Sequence, residues 1–372
     1  QDFEGTCAVV EKYGIDAIVT AATDKPLVMM ARVAEKYGFP FYSVETAQWS
    51  TDKFQMKQRF ELGGVPHARG ILLNAEDLKR SLCSKSVDNN SENFSDRFLI
   101  NFEADRPTAE LHFPVIVKPR DNSGSRGVKL CRSREELEAS MGEALEVSKL
   151  DTVLVEEFIE GPEYSIEGLH YDGKSEVIQF TEKKTTEFPY NVELGHKQPA
   201  SLTEEQRNAI REIVSRIGKA LKFENCPSHT ELKINDRGIF VIETSPRLGG
   251  DYITSTLVPL STGINMEDQL LHIALGEKIE IAPAHVQYSG VRFFAFEEGQ
   301  VIRHVPDPKF VKTWPHVVDF AFNLKEGEQV HQITSSLNRY GHLIMVAGNS
   351  ESIDDAFDKY EKAIKERVLN SK

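Results

Sequence analysis

The segment from Thr230 to Asp251 (TELKINDRGIFVIETSPRLGGD) constrains the fold of this 372-residue chain more than any other segment. Two runs of strand composition flank a turn, and a three-residue loop over 236–238 that ends in glycine is a common hairpin solution. In that register Glu231 faces Glu243, and two opposed carboxylates on one sheet face repel each other. A divalent cation removes the repulsion, and Mg²⁺ prefers oxygen ligands. The hairpin therefore predicts either a magnesium site, to which the Ser245 hydroxyl can contribute, or two glutamates that point into solvent.

A second segment, residues 113–130 (FPVIVKPRDNSGSRGVKL), predicts a phosphate-binding loop. A buried strand ends near Lys118, and a polar, glycine-rich loop leads into a return strand. Backbone N–H groups of such a loop can approach phosphate oxygens, while lysine and arginine supply positive charge. The spacing is neither that of a Walker A loop nor G-x-G-x-x-G, and a plain tight turn is the alternative interpretation. The loop residues are Ser123, Gly124, Ser125, Arg126 and Gly127.

A third segment, residues 153–168 (VLVEEFIEGPEYSIEG), predicts a strand followed by extended chain. Extended backbone can offer N–H and C=O groups to an adenine edge, and a carboxylate can accept hydrogen bonds from ribose hydroxyls. An acidic strand end in solvent is the alternative interpretation. The candidate residues are Glu156, Glu157, Phe158, Ile159 and Glu163.

In this order and spacing, the three segments together resemble the ATP-grasp superfamily, from about residue 51 to residue 276. The segment 51–66 (TDKFQMKQRFELGGVP) is similar to the family's helix before the nucleotide-binding lobe, whose lysine corresponds to Lys53. The tail, over 290–301 (GVRFFAFEEGQV) and 339–350 (RYGHLIMVAGNS), is similar to the closing subdomain of biotin-carboxylase-type members. The resemblance implies an α/β protein with an ATP-grasp fold.

The resemblance also implies that these segments bind ATP together with Mg²⁺ or Mn²⁺. Glu231 and Glu243 would bind the metal, and Ser245 stands where most members have asparagine, which predicts a weaker or water-mediated metal contact. Arg247 would contact the transferred phosphate or the acyl intermediate, and His196 would lie on a loop facing the substrate pocket. The implied nucleotide contacts are Lys53 and Lys118 at the phosphates, residues 123–127 as a lid over them, Glu156, Glu157, Phe158 and Ile159 at or beside the adenine, and Glu163 at the ribose.

The N-terminal residues predict a parallel α/β unit. Residues 14–21 and 39–44 are short apolar runs typical of strands, and the segment from Leu27 to Tyr37 between them has helical spacing. The unit is shorter than the family's usual N-terminal domain, and the first residue is Gln1 rather than methionine, so we expect a truncated start. The predicted domains are an α/β N-terminal domain over 1–50, a linker helix and flexible polar insertion over 51–110, a nucleotide-binding small lobe over 111–185, and a large lobe with the metal site, the substrate site and a C-terminal subdomain over 186–372.

Composition narrows the class of partner. The chain has 58 acidic residues against 44 lysines and arginines, a net charge of −14, which argues against a general nucleic-acid binder. No apolar run approaches the ~20 residues of a membrane span, and no signal peptide is visible. Four scattered cysteines are typical of a reducing compartment. We therefore expect a cytoplasmic protein that acts on small molecules.

Three stretches, SHTELKI, ETSPRLGGDYI and ELGHKQPA (193–200), most resemble carboxylate–amine ligases that join amino acids. This resemblance implies ATP-dependent activation of a carboxylate as an acyl phosphate, followed by attack of an amine to form an amide. It implies small carboxylate and amine substrates, with amino acids among them, and it leaves a homodimer open. The alternatives are a purine-pathway, biotin-carboxylase or carbamoyl-phosphate-synthase type of ATP-grasp enzyme, and a protein that binds ATP without catalysis.

Overall fold

The computed structural model describes most of the chain. The predicted lid residues Ser123, Gly124 and Ser125 lie outside the described residues, as does the polar insertion predicted over 84–97 except for its last residue, Arg97, which begins a strand. The described residues are 2–74, 76, 97–100, 109–122, 126–188, 190–279 and 281–370.

The helices begin at residues that favour helix starts. The pattern T-x-x-Q over 203–206 predicts a capping box, which the structure confirms. The Thr203 hydroxyl accepts the Gln206 backbone N–H at 3.2 Å, and the Gln206 side chain accepts the Thr203 N–H at 2.9 Å. Asp52 caps the predicted helix before the nucleotide-binding lobe. The α-helices are Phe3–Tyr13, Leu27–Tyr37, Val44–Thr51, Lys53–Leu62, Arg134–Val147, Glu204–Leu221, Val258–Thr262, Met266–Ala274, Pro308–Val311 and Ser350–Leu369, with a π-helix at Ile253–Leu257 and a 3₁₀-helix at Ser336–Asn338.

The N-terminal α/β unit is only partly correct. The predicted helix Leu27–Tyr37 is confirmed, but the predicted strands at 14–21 and 39–44 are wrong. Neither run pairs its N–H and C=O groups with a described strand, and that pairing is what makes extended chain a strand. Ser43 also ends the second run early, since its side chain accepts the Thr46 N–H and starts a helix.

A small antiparallel sheet takes three of its strands from the small lobe predicted over 111–185 and one, Gly70–Asn74, from the predicted linker. The strands Glu163–Tyr171 and Lys174–Thr185 of that predicted lobe belong to the large sheet instead. Helix Arg134–Val147 covers one face of the small sheet, and the buried side chains of Leu137, Met141 and Ala144 pack there against strand valines. A separate strand pair joins Arg97–Ile100 to Ala109–His112. The small sheet has the spatial order Gly70–Asn74, Thr152–Glu157, Val115–Pro119 and Lys129–Cys131.

A large antiparallel sheet of eight strands forms the centre of the described structure. The capped helix Glu204–Leu221 packs on it through an apolar face that includes Ile210 and Val214. Helix Ser350–Leu369 covers the far end of the sheet. The spatial order is Gly238–Ser245, Cys226–Asn235, Glu163–Tyr171, Lys174–Thr185, Glu193–Gln198, Tyr288–Phe293, Gly341–Ala347 and Val317–Phe322.

The hairpin between Cys226–Asn235 and Gly238–Ser245 has the predicted pairing through a different geometry. Asn235 pairs with Gly238, so the loop has two residues instead of three. That loop alone would place Glu231 opposite Ile242 and would turn Glu243 to the other face of the sheet. A β-bulge next to Glu231 adds one residue to the partner strand and restores the predicted pairing of Glu231 with Glu243.

Among the described helices, none combines the length and apolar character that a membrane span requires.

Candidate active site

A cavity of about 350 Å³, which we call the main cavity, collects most of the predicted site residues between the two sheets. Ser245 contacts its wall through Asp24. At Gly127, φ is +74° and a side chain would come within 2.8 Å of Pro119 and Val147, so only glycine fits. The predicted residues that line the main cavity are Lys53, Lys118, Arg126, Glu156, Glu157, Phe158, Ile159, Glu163, His196, Glu231, Glu243 and Arg247.

Glu156 is buried at one end of the main cavity between two lysines. Lys118 forms an ion pair with one carboxylate oxygen, and the Lys57 ammonium group lies 2.6 Å from the other. Burial would raise the pKa of Glu156, but the two lysines lower it below its usual value. Two ammonium groups around one carboxylate leave a surplus positive charge. A buried surplus of this kind favours a neighbouring anion such as phosphate.

Lys57 is not among the site residues predicted from the sequence. It lies one helical turn after Lys53, on the same side of helix Lys53–Leu62, and that spacing is the signal that could have identified it. Its ammonium group also donates a hydrogen bond to the Ala68 carbonyl at 2.7 Å. Glu156 was predicted at the adenine, and in this structure its carboxylate holds the two lysines together.

Lys53 connects the linker helix to the hairpin. Its ammonium group lies 2.9 Å from the Glu243 carboxylate and donates to the Asn122 carbonyl at 2.8 Å. Burial would lower the pKa of Lys53, but Glu243 raises it above its usual value. The arrangement places this lysine between the predicted metal carboxylate and the start of the predicted lid.

Glu231 is held by a lysine that the sequence analysis missed. The ammonium group of Lys183 lies 2.9 Å from Glu231 and 2.6 Å from Glu163, with Glu193 at 3.6 Å. Burial would lower the pKa of Lys183, but the carboxylates raise it well above its usual value. The pair Lys183-Lys184 in the sequence gives no local signal for this position, because the contacts come from three other strands.

His229 reaches the same carboxylate from the other side. Its Nδ1 lies 2.7 Å from the buried Glu167, and its Nε2 lies 3.5 Å from Glu231. Burial would lower the pKa of His229, but Glu167 raises it to about 9. The imidazole therefore carries a positive charge at neutral pH and adds to the positive charge around Glu231.

Asp24, from the loop before helix Leu27–Tyr37, organises the far end of the main cavity. It accepts a hydrogen bond from Ser245 at 2.7 Å and two from Arg247, at 2.6 and 3.2 Å. Burial would raise the pKa of Asp24, but Arg247 lowers it below its usual value. More than 200 residues separate Asp24 from its partners, so no local pattern could have revealed this contact.

The donor set around the hairpin fits one kind of metal site. Within the described residues, no group of three or more histidine, cysteine, aspartate and glutamate side chains is arranged to hold a metal. Glu231 and Glu243 face each other and both line the main cavity, so the protein offers two carboxylates. Mg²⁺ is commonly held by one or two carboxylates together with substrate phosphates. The residues therefore fit a magnesium ion that a nucleotide brings, and they do not form an all-protein cage.

The turn after the hairpin joins the main cavity to the C-terminal part of the chain. Asp251 and Tyr252 both have positive φ, +52° and +66°, and the π-helix follows them directly. Asp251 accepts two hydrogen bonds from Arg339, at 2.6 and 2.7 Å, and lies 3.5 Å from Nε2 of His196. His196 is buried at this place, as part of a strand and not of the predicted loop. The Asp251 carboxylate of this turn thus contacts both Arg339 and His196 at the cavity wall.

Comparison with known proteins agrees with this geometry. The ATP-grasp domain family matches residues 111–256, and L-amino acid ligase C-terminal domain 2 matches residues 292–368. Alanine–anticapsin ligase of Bacillus subtilis strain 168 is 27% identical over 266 residues, covering 65% of this chain and 50% of that protein. An uncharacterized protein of Sinorhizobium fredii is 26% identical over 260 residues, covering 69% and 53%. The chain spans about half the length of the curated relatives it matches.

Solved structures share the fold over nearly the whole chain. The L-amino acid ligase of Bacillus licheniformis superposes with a TM-score of 0.76 at 22% identity, covering 98% of this chain and 84% of that one. Biotin carboxylase of Campylobacter jejuni gives a TM-score of 0.67 at 18% identity, covering 100% and 78%. The chain therefore has the ATP-grasp fold, with an ATP-grasp domain over residues 111–256 and an L-amino acid ligase C-terminal domain over residues 292–368.

Proposed function

We propose that the chain carries the active site of an ATP- and Mg²⁺-dependent carboxylate–amine ligase that joins amino acids. One observation carries the proposal. The main cavity has a lysine cluster with surplus positive charge at one end, and the facing carboxylates Glu231 and Glu243 beside Arg247 at the other. A polyphosphate chain in this cavity would meet the lysine ammonium groups directly and the two carboxylates through Mg²⁺.

Several comparisons support amino acids as the substrate class. Alanine–anticapsin ligase and L-amino acid ligase are among the relatives, and the C-terminal domain that this chain shares is that of L-amino acid ligases. That domain favours amino-acid ligation over the purine-pathway and biotin-carboxylase alternatives. A homodimer and a cytoplasmic location stay predictions.

The proposed reaction has two steps. A carboxylate oxygen of the first substrate attacks the terminal phosphorus of ATP, and ADP leaves with the electrons of the broken P–O bond. The amine of the second substrate then attacks the acyl carbon, inorganic phosphate leaves, and the nitrogen loses a proton to form the amide. Phosphoryl transfer depends mainly on positioning and charge neutralisation, which explains a site built from lysine, arginine and glutamate side chains.

Each group of residues has a task in this scheme. Lys118 and Lys53 bind phosphate oxygens. Arg247, oriented by Asp24, supports the negative charge that develops when the amine attacks. Glu231 and Glu243 would hold Mg²⁺, which supplies charge neutralisation on the phosphates when it is bound.

Substitution of Arg247 tests the proposal. The parent chain, incubated with ATP, Mg²⁺ and pairs of amino acids, should release ADP and form an amide that mass spectrometry detects. Arg247→Gln should lower kcat by about 100-fold or more, because one preorganised charge at the reacting centre is worth that much, while ATP affinity changes little. Arg216→Gln, whose side chain pairs with Glu212 on the exposed side of helix Glu204–Leu221, is the matched control and should behave like the parent. Tight ATP binding without amide formation in any pair would favour the non-catalytic alternative.

A further inference from the structure

Lys183 is the most enclosed cation of the main cavity wall and has no task in the scheme above. Its side chain is 2% exposed and lies on strand Lys174–Thr185, next to the strand that carries Glu163. Its ammonium group contacts Glu163 and Glu231 at 2.6 and 2.9 Å, and a third carboxylate, Glu193, at 3.6 Å. One lysine thus joins the residue predicted at the ribose to the residue predicted at the metal.

The sheet register explains how Lys183 reaches two strands. Glu231 pairs with Ser165 on the intervening strand, and Ser165 pairs with Thr181, two residues before Lys183 on the same face. The small, fully buried Ser165 leaves room for the lysine side chain to cross the intervening strand diagonally. A large side chain at position 165 would stand between Lys183 and Glu231.

We propose that Lys183 is the resident counter-ion of the site. In the metal-free protein its ammonium group has the electrostatic role that a divalent cation has when it binds Glu231. This inference rests on the proposed function. Without a cation, Glu163, Glu193 and Glu231 would repel one another at the cavity wall, and Lys183 compensates their charge. The other cations nearby are His229 beside Glu231 and Lys233, whose ammonium group lies 3.9 Å from Glu163.

Lys183 and a divalent cation compete for Glu231. A divalent cation that approaches Glu231 meets the positive charge of Lys183 on the same oxygen-rich wall, so Lys183 lowers metal affinity. Coupling between two binding events is reciprocal, and metal therefore weakens the Lys183 contact by the same factor. Removal of the lysine should destabilise the metal-free protein and should tighten the binding of a divalent cation.

Lys183→Met tests both halves, because methionine keeps most of the side-chain length without the charge. We expect its melting temperature without metal to fall by about 5 °C or more, since it leaves three partly buried carboxylates without their partner. Mg²⁺ alone, without nucleotide, should recover part of this loss, and titration with Mn²⁺ should show an affinity about 10-fold tighter than that of the parent. Lys174→Met, exposed on the same strand, should match the parent in all three measurements.

Two further variants keep the test decisive if Lys183→Met folds poorly. Lys183→Arg keeps the charge and should retain both the stability and the weak Mn²⁺ binding of the parent. The double variant Lys183→Met/Glu231→Gln removes one of the repelling carboxylates and should melt at a higher temperature than Lys183→Met alone. A double variant that melts no higher would overturn the proposal.

The outcomes separate this proposal from the proposed function. If the parent releases ADP in the presence of amino acids, but Lys183→Met gains no more from Mg²⁺ than the parent does, Lys183 is a structural ion pair only and the proposal is wrong. If the parent neither binds ATP nor releases ADP, the proposed function fails, and the counter-ion role fails with it.

Discussion

At Lys118, one substitution should affect both the nucleotide site and the fold. Its ammonium group is paired with Glu156 inside the protein, with Lys57 on the second carboxylate oxygen. For Lys118→Ala we expect ATP affinity to fall by about 10-fold or more, the value of one charge-assisted hydrogen bond. We also expect the free energy of unfolding to fall by about 1–3 kcal/mol, less than the full cost of an unpaired buried charge, because Lys57 remains. Thermal unfolding and ATP titration of the same samples measure both effects.

Lys129→Ala is the control for this prediction. Lys129 lies on the next strand of the small sheet and pairs with Glu143 at the surface. Surface pairs of this kind contribute little, so both its stability and its ATP affinity should stay close to the parent values. Parental ATP affinity in Lys118→Ala would remove Lys118 from the nucleotide site.

The imidazole of His229 predicts a dependence of stability on pH. Its pKa is about 9 in the folded chain, because Glu167 outweighs burial, against 6.5 for an ordinary histidine. Because this pKa is higher in the folded than in the unfolded state, protonation of His229 stabilises the fold, and the effect is complete below about pH 6.5. The stabilisation is lost as the pH rises through about 9. We expect the melting temperature of the parent to fall over this range and His229→Gln to flatten the fall. His272→Gln, at an exposed helix end, should leave the profile unchanged.

At the scale of elements, the turn after the hairpin depends on one of its two glycines. A Cβ atom on Gly249 would lie 2.8 Å from a Glu167 oxygen and 2.9 Å from Nδ1 of His229, whereas on Gly250 it would meet nothing closer than 3.8 Å. Gly249→Ala should therefore separate the Glu167–His229 pair and lower the melting temperature by several degrees, because it disturbs a buried ion pair. Gly250→Ala is the matched control and should melt close to the parent. Equal melting temperatures for the two variants would mean that the turn relaxes without cost.

Local patterns predicted the elements where pairing or capping is encoded nearby. The capping box at Thr203, the hairpin and the pairing of Glu231 with Glu243 all follow from residues within about fifteen positions of one another. The strands expected at 14–21 and 39–44 failed because a strand needs a neighbour, and apolar composition does not supply one. The hairpin loop is one residue shorter than predicted and the bulge adds one residue, so the two changes cancel and Glu231 still pairs with Glu243.

The contacts that complete the site depend on the tertiary structure. The Lys183 side chain crosses a neighbouring strand to reach Glu231. Asp24, near the start of the chain, accepts a hydrogen bond from Arg247, which lies 223 residues later. The carboxylates, Arg247 and Lys53 were predicted from the sequence, but Lys183 and Asp24 were not. Lys53 and Lys183 balance the charge of the two facing glutamates, since one lysine lies 2.9 Å from each.

At the scale of the whole molecule, two ion pairs connect distant parts of the chain to the turn that carries Arg247. Asp24 joins the N-terminal segment to it, and Arg339 joins the L-amino acid ligase C-terminal domain to it through Asp251. Arg339 also stacks on the ring of Phe293 at 3.6 Å. The part of the main cavity around Arg247 is thus assembled from three regions of the sequence.

The central claim is that this cavity activates a carboxylate as an acyl phosphate. The most direct measurement follows oxygen from the carboxylate to the phosphate. The parent chain is incubated with ATP, Mg²⁺, an amino acid labelled with ¹⁸O in its carboxylate and an amine acceptor, and the inorganic phosphate is analysed by mass spectrometry. Because the attacking carboxylate oxygen leaves with the phosphate, each phosphate released should carry one oxygen from the labelled carboxylate, in equal number to the amide formed. Phosphate that carries no label while ADP accumulates would mean that water attacks ATP, and it would contradict the account.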